Sequence, residues 1–190
     1  IMIARMLENP TMELFTKALA TLTGGSGAAA VLLTDGSFAS ARRSRRLVGG
    51  VAHTEPRWHE LCRWGFAPAA LGGFSQFMST DSVSVLKYGL ELARRTWESF
   101  LGALGWSREQ VDRVICHQVG SAHQNRILEV LGIPPERDFP SYPFLGNMGT
   151  VSLPLTAALA EQRGFLQPGH RVGFLGIGSG LNCLMLGWDW

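Results

Sequence analysis

The sequence predicts a layered α/β protein built on a mixed sheet. Two observations carry this. Apolar runs of strand length are interleaved with longer segments of helical spacing, in the order strand, helix, strand, helix, helix, strand, strand. The last two strands, Arg171 to Ile177 and Cys183 to Trp188, are separated only by Gly178-Ser179-Gly180-Leu181-Asn182. So short a connection demands an antiparallel pair, which makes the sheet mixed.

The elements follow in order. Met12, Phe15, Leu19 and Leu22 have helical spacing, and Gly24-Gly25 stops the helix that begins near Thr11. Ala28 to Leu33 is a continuous apolar run between Gly27 and Asp35-Gly36, and it reads as a strand buried on both faces. Arg46 to Val51 suggests a second strand. The loop before it carries Arg42, Arg43, Arg45 and Arg46.

The longest helix opens at Thr80-Asp81, both good N-caps, and Gly105 closes it. Its apolar stripe runs Val83, Leu86, Leu90, Ala93, Trp97, Leu101, Leu104. Val111 to Cys116 is a short strand, and His117-Gln118-Val119-Gly120 is the turn at its carboxyl end. Helices then run from Ser121 to Leu131 and from Val151 to Arg163, the second with Pro154 in its first turn. Between them lies a Gly-rich loop, Phe144 to Gly149.

Composition narrows the function classes. The chain has 190 residues, 46% hydrophobic and 17% charged, so a disordered chain is excluded. Its net charge of +2 lacks the clustered excess that nucleic-acid or membrane surfaces use. The longest uncharged stretch, Phe139 to Ala160, is broken by Pro140, Pro143 and Pro154, so no membrane span is expected. Three scattered cysteines build no disulfide scaffold, and the expected compartment is the cytoplasm. No secretory segment is visible, and an opening Ile1 suggests that the gene starts further upstream.

Several residues could carry chemistry. His117 sits where a strand ends and a helix begins, the place where ligands collect in open α/β sheets. Its imidazole could donate a hydrogen bond or move a proton, or merely cap the next helix. Asn147 lies between glycines, in Phe144-Leu145-Gly146-Asn147-Met148-Gly149. Its amide is a neutral donor suited to an oxyanion; the bland reading is a turn asparagine. Gly176-Ile177-Gly178-Ser179-Gly180 is no dinucleotide fingerprint, since no helix follows. It is either a plain hairpin loop or one that brings backbone N–H groups into a site. Cys116 and His117 point to opposite faces, so they form no dyad, and Cys62, Cys116 and Cys183 read as core. His59 and Cys62 have HxxC spacing, with His53 upstream, but no second pair appears at zinc-site spacing, so no metal is expected. The arginine group reads as a solvated loop or as an anion contact.

Three separated motifs carry a resemblance. Gly25-Ser26-Gly27-Ala28-Ala29-Ala30-Val31 looks like the strand that ends the first half of a pseudo-duplicated fold. His117-Gln118 looks like a catalytic histidine motif. Gly146-Asn147-Met148-Gly149-Thr150-Val151-Ser152-Leu153-Pro154 looks like a catalytic asparagine loop with its following helix, and Gly176 to Gly180 like a terminal Gly-rich loop. In this order they resemble the C-terminal part of the thiolase superfamily, in its 3-oxoacyl-ACP synthase III-like branch. The likeness is greatest to the long-chain acyl-CoA condensing enzymes of bacterial olefin biosynthesis.

The resemblance implies a layered α-β-α-β-α sandwich, with residues 1–40 ending the N-terminal half and 46–190 forming the C-terminal half. It implies a non-decarboxylative Claisen condensation of two fatty acyl-CoA molecules to a 2-alkyl-3-oxoalkanoate, with no cofactor beyond the coenzyme A of the substrate. His117 and Asn147 would be catalytic, stabilising the enolate. Backbone groups of Gly178, Ser179 and Gly180 would serve the oxyanion. Partners would be the acyl-CoA substrates, the missing N-terminal half and a second complete unit in a dimer. Synthase III enzymes commonly read His-Gln-Ala-Asn, whereas this chain reads His117-Gln118-Val119-Gly120, which favours the olefin type over decarboxylating condensation. The family's nucleophile is a cysteine opening a buried helix. No cysteine here has that setting, so the nucleophile is expected outside this chain. The other readings are a decarboxylating synthase and a non-catalytic partner that shapes an acyl pocket.

Overall fold

In the computed structural model, residues 7–8, 10–37, 45–68 and 72–190 are described. Helix α1 is Met12–Leu22. Strand β1, Arg46–Thr54, leads through a 3-10 turn, Pro56–Leu61, into a hairpin of β2, Cys62–Pro68, and β3, Phe74–Thr80. Then come α2, Ser82–Leu104; β4, Arg113–Cys116; α3, Ser121–Leu131; and a single turn α4, Tyr142–Leu145. Helix α5, Ser152–Gln162, and the hairpin β5, Arg171–Gly178, with β6, Asn182–Asp189, complete the order.

The main sheet is mixed, in the order β1-β6-β5-β4, with β4 and β5 parallel and the other pairs antiparallel. Because side chains alternate along a strand, each face has its own core. On one face Val114, Cys116, Leu175, Cys183 and Met185 meet Leu92, Trp97 and Phe100 of α2, with Leu128 and Leu131 of α3. On the other, Ile115 and Val172 meet Ala157 and Ala160 of α5, beside Phe174 and Trp188. The described residues thus form helix, sheet and helix layers. Trp97 and Phe100 stack with ring centroids 5.4 Å apart. Burying such side chains is worth roughly 1.5–3 kcal/mol each.

The long helix ends where expected. Asp81 is its N-cap, accepting the N–H of Ser84 at 3.0 Å, and Gly105 closes it in a left-handed conformation. Cys116 and Cys183 are core, but Cys62 is only half-buried at the start of β2.

Other expectations change. Ala28 to Leu33 pairs with no strand among the described residues, and Val31, Leu32 and Leu33 are exposed. A strand buried on both faces needs ladder partners, and no described residue of this chain supplies them. Val31 and Leu33 instead border an apolar groove of about 270 Å³ with Leu47, Leu153, Phe174 and Trp188. The β2–β3 hairpin was not anticipated, and its Trp64, Phe66 and Phe74 are exposed, so Trp64 is not a core tryptophan. Arg42 and Arg43 lie outside the described residues. Arg45 pairs with Glu161 and Arg46 with Asp189, so these two brace the ends of α5 and β6.

Candidate active site

His117 follows the last residue of β4. Its backbone N–H donates to the carbonyl of Leu175 at 2.9 Å, continuing the parallel pairing of β4 with β5. The hairpin tip Gly178-Ser179-Gly180 lies at the carboxyl end of β5. Parallel strands share an end, so His117 and this tip lie at one end of the sheet. Burial, and secondarily the neighbouring His123, hold the His117 imidazole below its ordinary 6.5. His123 is lowered by burial as well. The imidazole of His117 is therefore neutral at neutral pH, able to donate a hydrogen bond without carrying charge.

The hairpin tip is fixed from beneath. Asn182 Nδ2 donates to the carbonyl of Ser179 at 2.7 Å, and Asn182 Oδ1 accepts from Thr54 Oγ1 at 2.9 Å. Leu181 and Glu55 exchange two backbone hydrogen bonds, at 2.8 and 3.2 Å. These contacts use the Ser179 carbonyl, the Asn182 side chain and both backbone groups of Leu181, and they fix the tip against the end of β1.

Asn147 is held by backbone groups. Its N–H donates to the carbonyl of Thr23 at 2.9 Å, and its carbonyl accepts the N–H of Gly25 at 2.8 Å. Two glycines make this approach possible. A Cβ on Gly25 would lie 1.9 Å from the carbonyl oxygen of Leu145, and one on Gly146 would lie 2.7 Å from that of Thr23. The side-chain Oδ1 of Asn147 accepts the N–H of Gly149 at 2.9 Å. That bond uses the amide oxygen and leaves the NH₂ out of the turn. Asn147 is thus a turn residue whose side-chain amide is oriented by the turn bond.

The histidine and asparagine loops are joined through Gln118, which is fully buried. Its Nε2 donates to the carbonyl of Cys116 at 2.7 Å, and its Oε1 accepts the N–H groups of Ser141 and Tyr142 at 2.7 and 3.0 Å. In the sequence Gln118 appears only as the neighbour of His117 in its motif and Gly25 only as the head of a strand motif, with no role for either in joining the loops. The only signals in the sequence were the adjacency of Gln118 to His117 and the helix-stopping Gly24-Gly25.

The cysteines are poor nucleophile candidates. Burial, then the nearby Asp138, pushes the Cys116 thiol well above 9.0, and burial pushes Cys183 up to about 11. A reactive cysteine needs the opposite shift. Asp138 is itself raised by burial to about 6, beside Gln124, which donates to its Oδ2. No cluster of three or more metal-ligating side chains occurs among the described residues. No described helix is long and apolar enough to cross a membrane.

Known proteins share the sequence pattern and the fold of this chain. Residues 101–190 match the 3-oxoacyl-(acyl-carrier-protein) synthase III C-terminal family. An acyl-CoA:acyl-CoA alkyltransferase of Shewanella oneidensis is 54% identical, over 100% of this chain and 55% of its own length. One from Xanthomonas campestris is 34% identical, over 92% of this chain and 48% of its own length. A crystal structure of Xanthomonas campestris OleA with bound lauric acid and lauroyl-CoA superposes with a TM-score of 0.79 at 29% identity. That match covers 100% of this chain and 53% of that one. The chain spans about half the length of the relatives it matches. Residues 101–190 thus belong to the 3-oxoacyl-(acyl-carrier-protein) synthase III C-terminal family, and the chain as a whole shares the thiolase-like fold of the relatives it resembles.

Proposed function

We propose that this chain is the C-terminal part of an enzyme that joins two fatty acyl-CoA molecules by non-decarboxylative Claisen condensation. Residues 1–40 end the N-terminal half of its fold and 46–190 form the C-terminal half. The observation that carries the proposal is the pair of neutral donors at His117 and Asn147, on loops joined by one buried side chain. The relatives named for acyl-CoA:acyl-CoA alkyl transfer support the substrate class.

In this reading a cysteine outside the chain first takes an acyl group from one acyl-CoA, releasing free coenzyme A. The second acyl-CoA gives up an α-proton to a base outside this chain, and the negative charge moves onto its thioester oxygen. His117 and Asn147 donate hydrogen bonds to that oxygen; donors of this kind are worth about 3–4 kcal/mol each. The enolate carbon attacks the acyl-cysteine carbonyl, and the backbone of Gly178, Ser179 and Gly180 faces the oxyanion so formed. Collapse expels the cysteine thiolate and leaves a 2-alkyl-3-oxoacyl thioester, whose hydrolysis gives the 2-alkyl-3-oxoalkanoate. Complete units pair as dimers, and no cofactor is needed beyond the substrate's own coenzyme A.

The test is condensation by the full polypeptide carrying this chain, supplied with a single long-chain acyl-CoA and analysed by mass spectrometry. The expected product retains every carbon of both acyl chains. A product formed only when a malonyl thioester is added, with loss of carbon dioxide, would overturn the proposal in favour of decarboxylating condensation.

A further inference from the structure

The hydrogen bonds of Gln118 fall at two places that matter separately. Cys116, which accepts from its Nε2, immediately precedes His117. Ser141 and Tyr142, which donate to its Oε1, open the turn α4, and that turn runs through Gly146 directly into Asn147. A carboxamide oxygen has two lone pairs, and both are used here. One side chain therefore fastens the backbone of the histidine loop to the backbone of the asparagine loop.

The fastening continues behind it. The hydroxyls of Ser141 and Thr156 lie 2.6 Å apart, which ties α4 to α5. The N–H of Met148, the residue after Asn147, donates to Ser152 Oγ at 3.2 Å. Gln118, Ser141, Ser152 and Thr156 are all fully buried. Apolar packing would fill the same space but would leave the loops freer to slide, because only the hydrogen bonds are directional. In a dry interior these bonds are strong when satisfied and costly when broken.

We propose that Gln118 is a positioning residue, setting the separation and orientation of the His117 imidazole and the Asn147 amide for enolate formation. This rests on the Claisen reading of the site. Gln118 does not touch substrate. It acts through the two loops, whose donors must converge on a single oxygen. A displacement of about 1 Å in such a constellation costs about 100-fold in rate.

The test uses the full polypeptide carrying this chain and separates the two half-reactions. Acylation of the enzyme by acyl-CoA is followed by intact mass, and condensation by product formation. In Gln118→Met, which keeps the volume and removes the hydrogen bonds, acylation is expected to persist while kcat for condensation falls about 100-fold with KM little changed. Gln118→Glu keeps the acceptor for Ser141 and Tyr142, and when protonated it can again donate to the Cys116 carbonyl. Its condensation is therefore expected to recover as pH is lowered, which the Met variant's does not. If Gln118→Met fails to fold, the pH rescue of Gln118→Glu decides. Condensation at the parent rate in folded Gln118→Met overturns the proposal, and so does a pH profile for Gln118→Glu that parallels the parent's. A parallel fall of both half-reactions reduces Gln118 to a structural role and also overturns it. His117→Ala is the control. If it condenses at the parent rate, the reading of the site fails; if it is inactive while both Gln118 variants are fully active, only the Gln118 proposal fails.

Discussion

The backbone N–H of Gly25 donates to the carbonyl of Asn147 at 2.8 Å, so a segment near the start of the described chain anchors the candidate donor loop. The contact exists because Gly25 has no side chain; its Cβ would lie 1.9 Å from the Leu145 carbonyl oxygen. Gly25→Ala is therefore expected to push the two segments apart and cost about 1–3 kcal/mol, as overpacking does. Condensation should fall more than folding, because Asn147 rides on the displaced loop. A variant with parent stability and parent activity would show that the clamp is slack.

Asn147→Asp separates the two uses of this side chain. The carboxylate can still accept the N–H of Gly149, so the loop should keep its shape. The NH₂ becomes a second oxygen, which cannot donate to an enolate and repels it. The expected result is a melting temperature near the parent's with condensation lowered about 10²–10³-fold, the usual cost of losing an oxyanion donor. Activity retained in Asn147→Asp would remove Asn147 from the chemistry.

Stability should depend on pH through two opposing sets of groups. His117 and His123 are both held below 6.5, so below that pH the unfolded chain takes up protons that the folded one refuses. Their contribution therefore falls on acidification. Asp138 has the opposite sign. It is raised from 3.8 to about 6, so between these values the folded state keeps a proton that the unfolded state has lost. That contribution is present at acid pH and disappears as pH rises through about 6. Asp138→Asn should remove it and leave the histidine effect unopposed. The urea midpoint of the variant is expected to drop more steeply than the parent's as pH falls from 6.5 toward 4.

Thiol labelling tests where the nucleophile is. Cys116 and Cys183 are buried and their thiols are shifted upward, whereas Cys62 is partly exposed. In the folded state an uncharged maleimide should label Cys62 and spare the other two. Incubation with acyl-CoA should leave all three unacylated, as read by peptide mass. An acyl group found on any of them would place the nucleophile inside this chain.

The parts of the fold legible in the sequence are those whose determinants are local. Asp81 and Gly105 mark the ends of α2 by capping chemistry, and Gly178 to Asn182 fixes an antiparallel pair by its shortness. Ala28 to Leu33 misleads because an apolar run encodes a preference for burial, while the burial itself needs strands that the described residues do not provide. The β2–β3 hairpin is hard to read for a related reason. Trp64 and Phe66 share one face, but that face is exposed and the part-buried positions opposite are Gly65 and Ala67, so the usual apolar-in, polar-out alternation is missing. His117 and Asn147 stand out by their loop positions. Their connection through Gln118 does not, because hydrogen bonds to Ser141 and Tyr142 are a product of tertiary folding.

The exposed run from Ala28 to Leu33 also matters for the life of the polypeptide before it is complete. It is apolar, uncharged and free of proline, and no described strand pairs with it, which are properties of segments that recruit like segments from other molecules. Expressed alone, this chain should self-associate and be held by chaperones through that run. Quality control would then discriminate against unassembled material through a stretch far in sequence from His117.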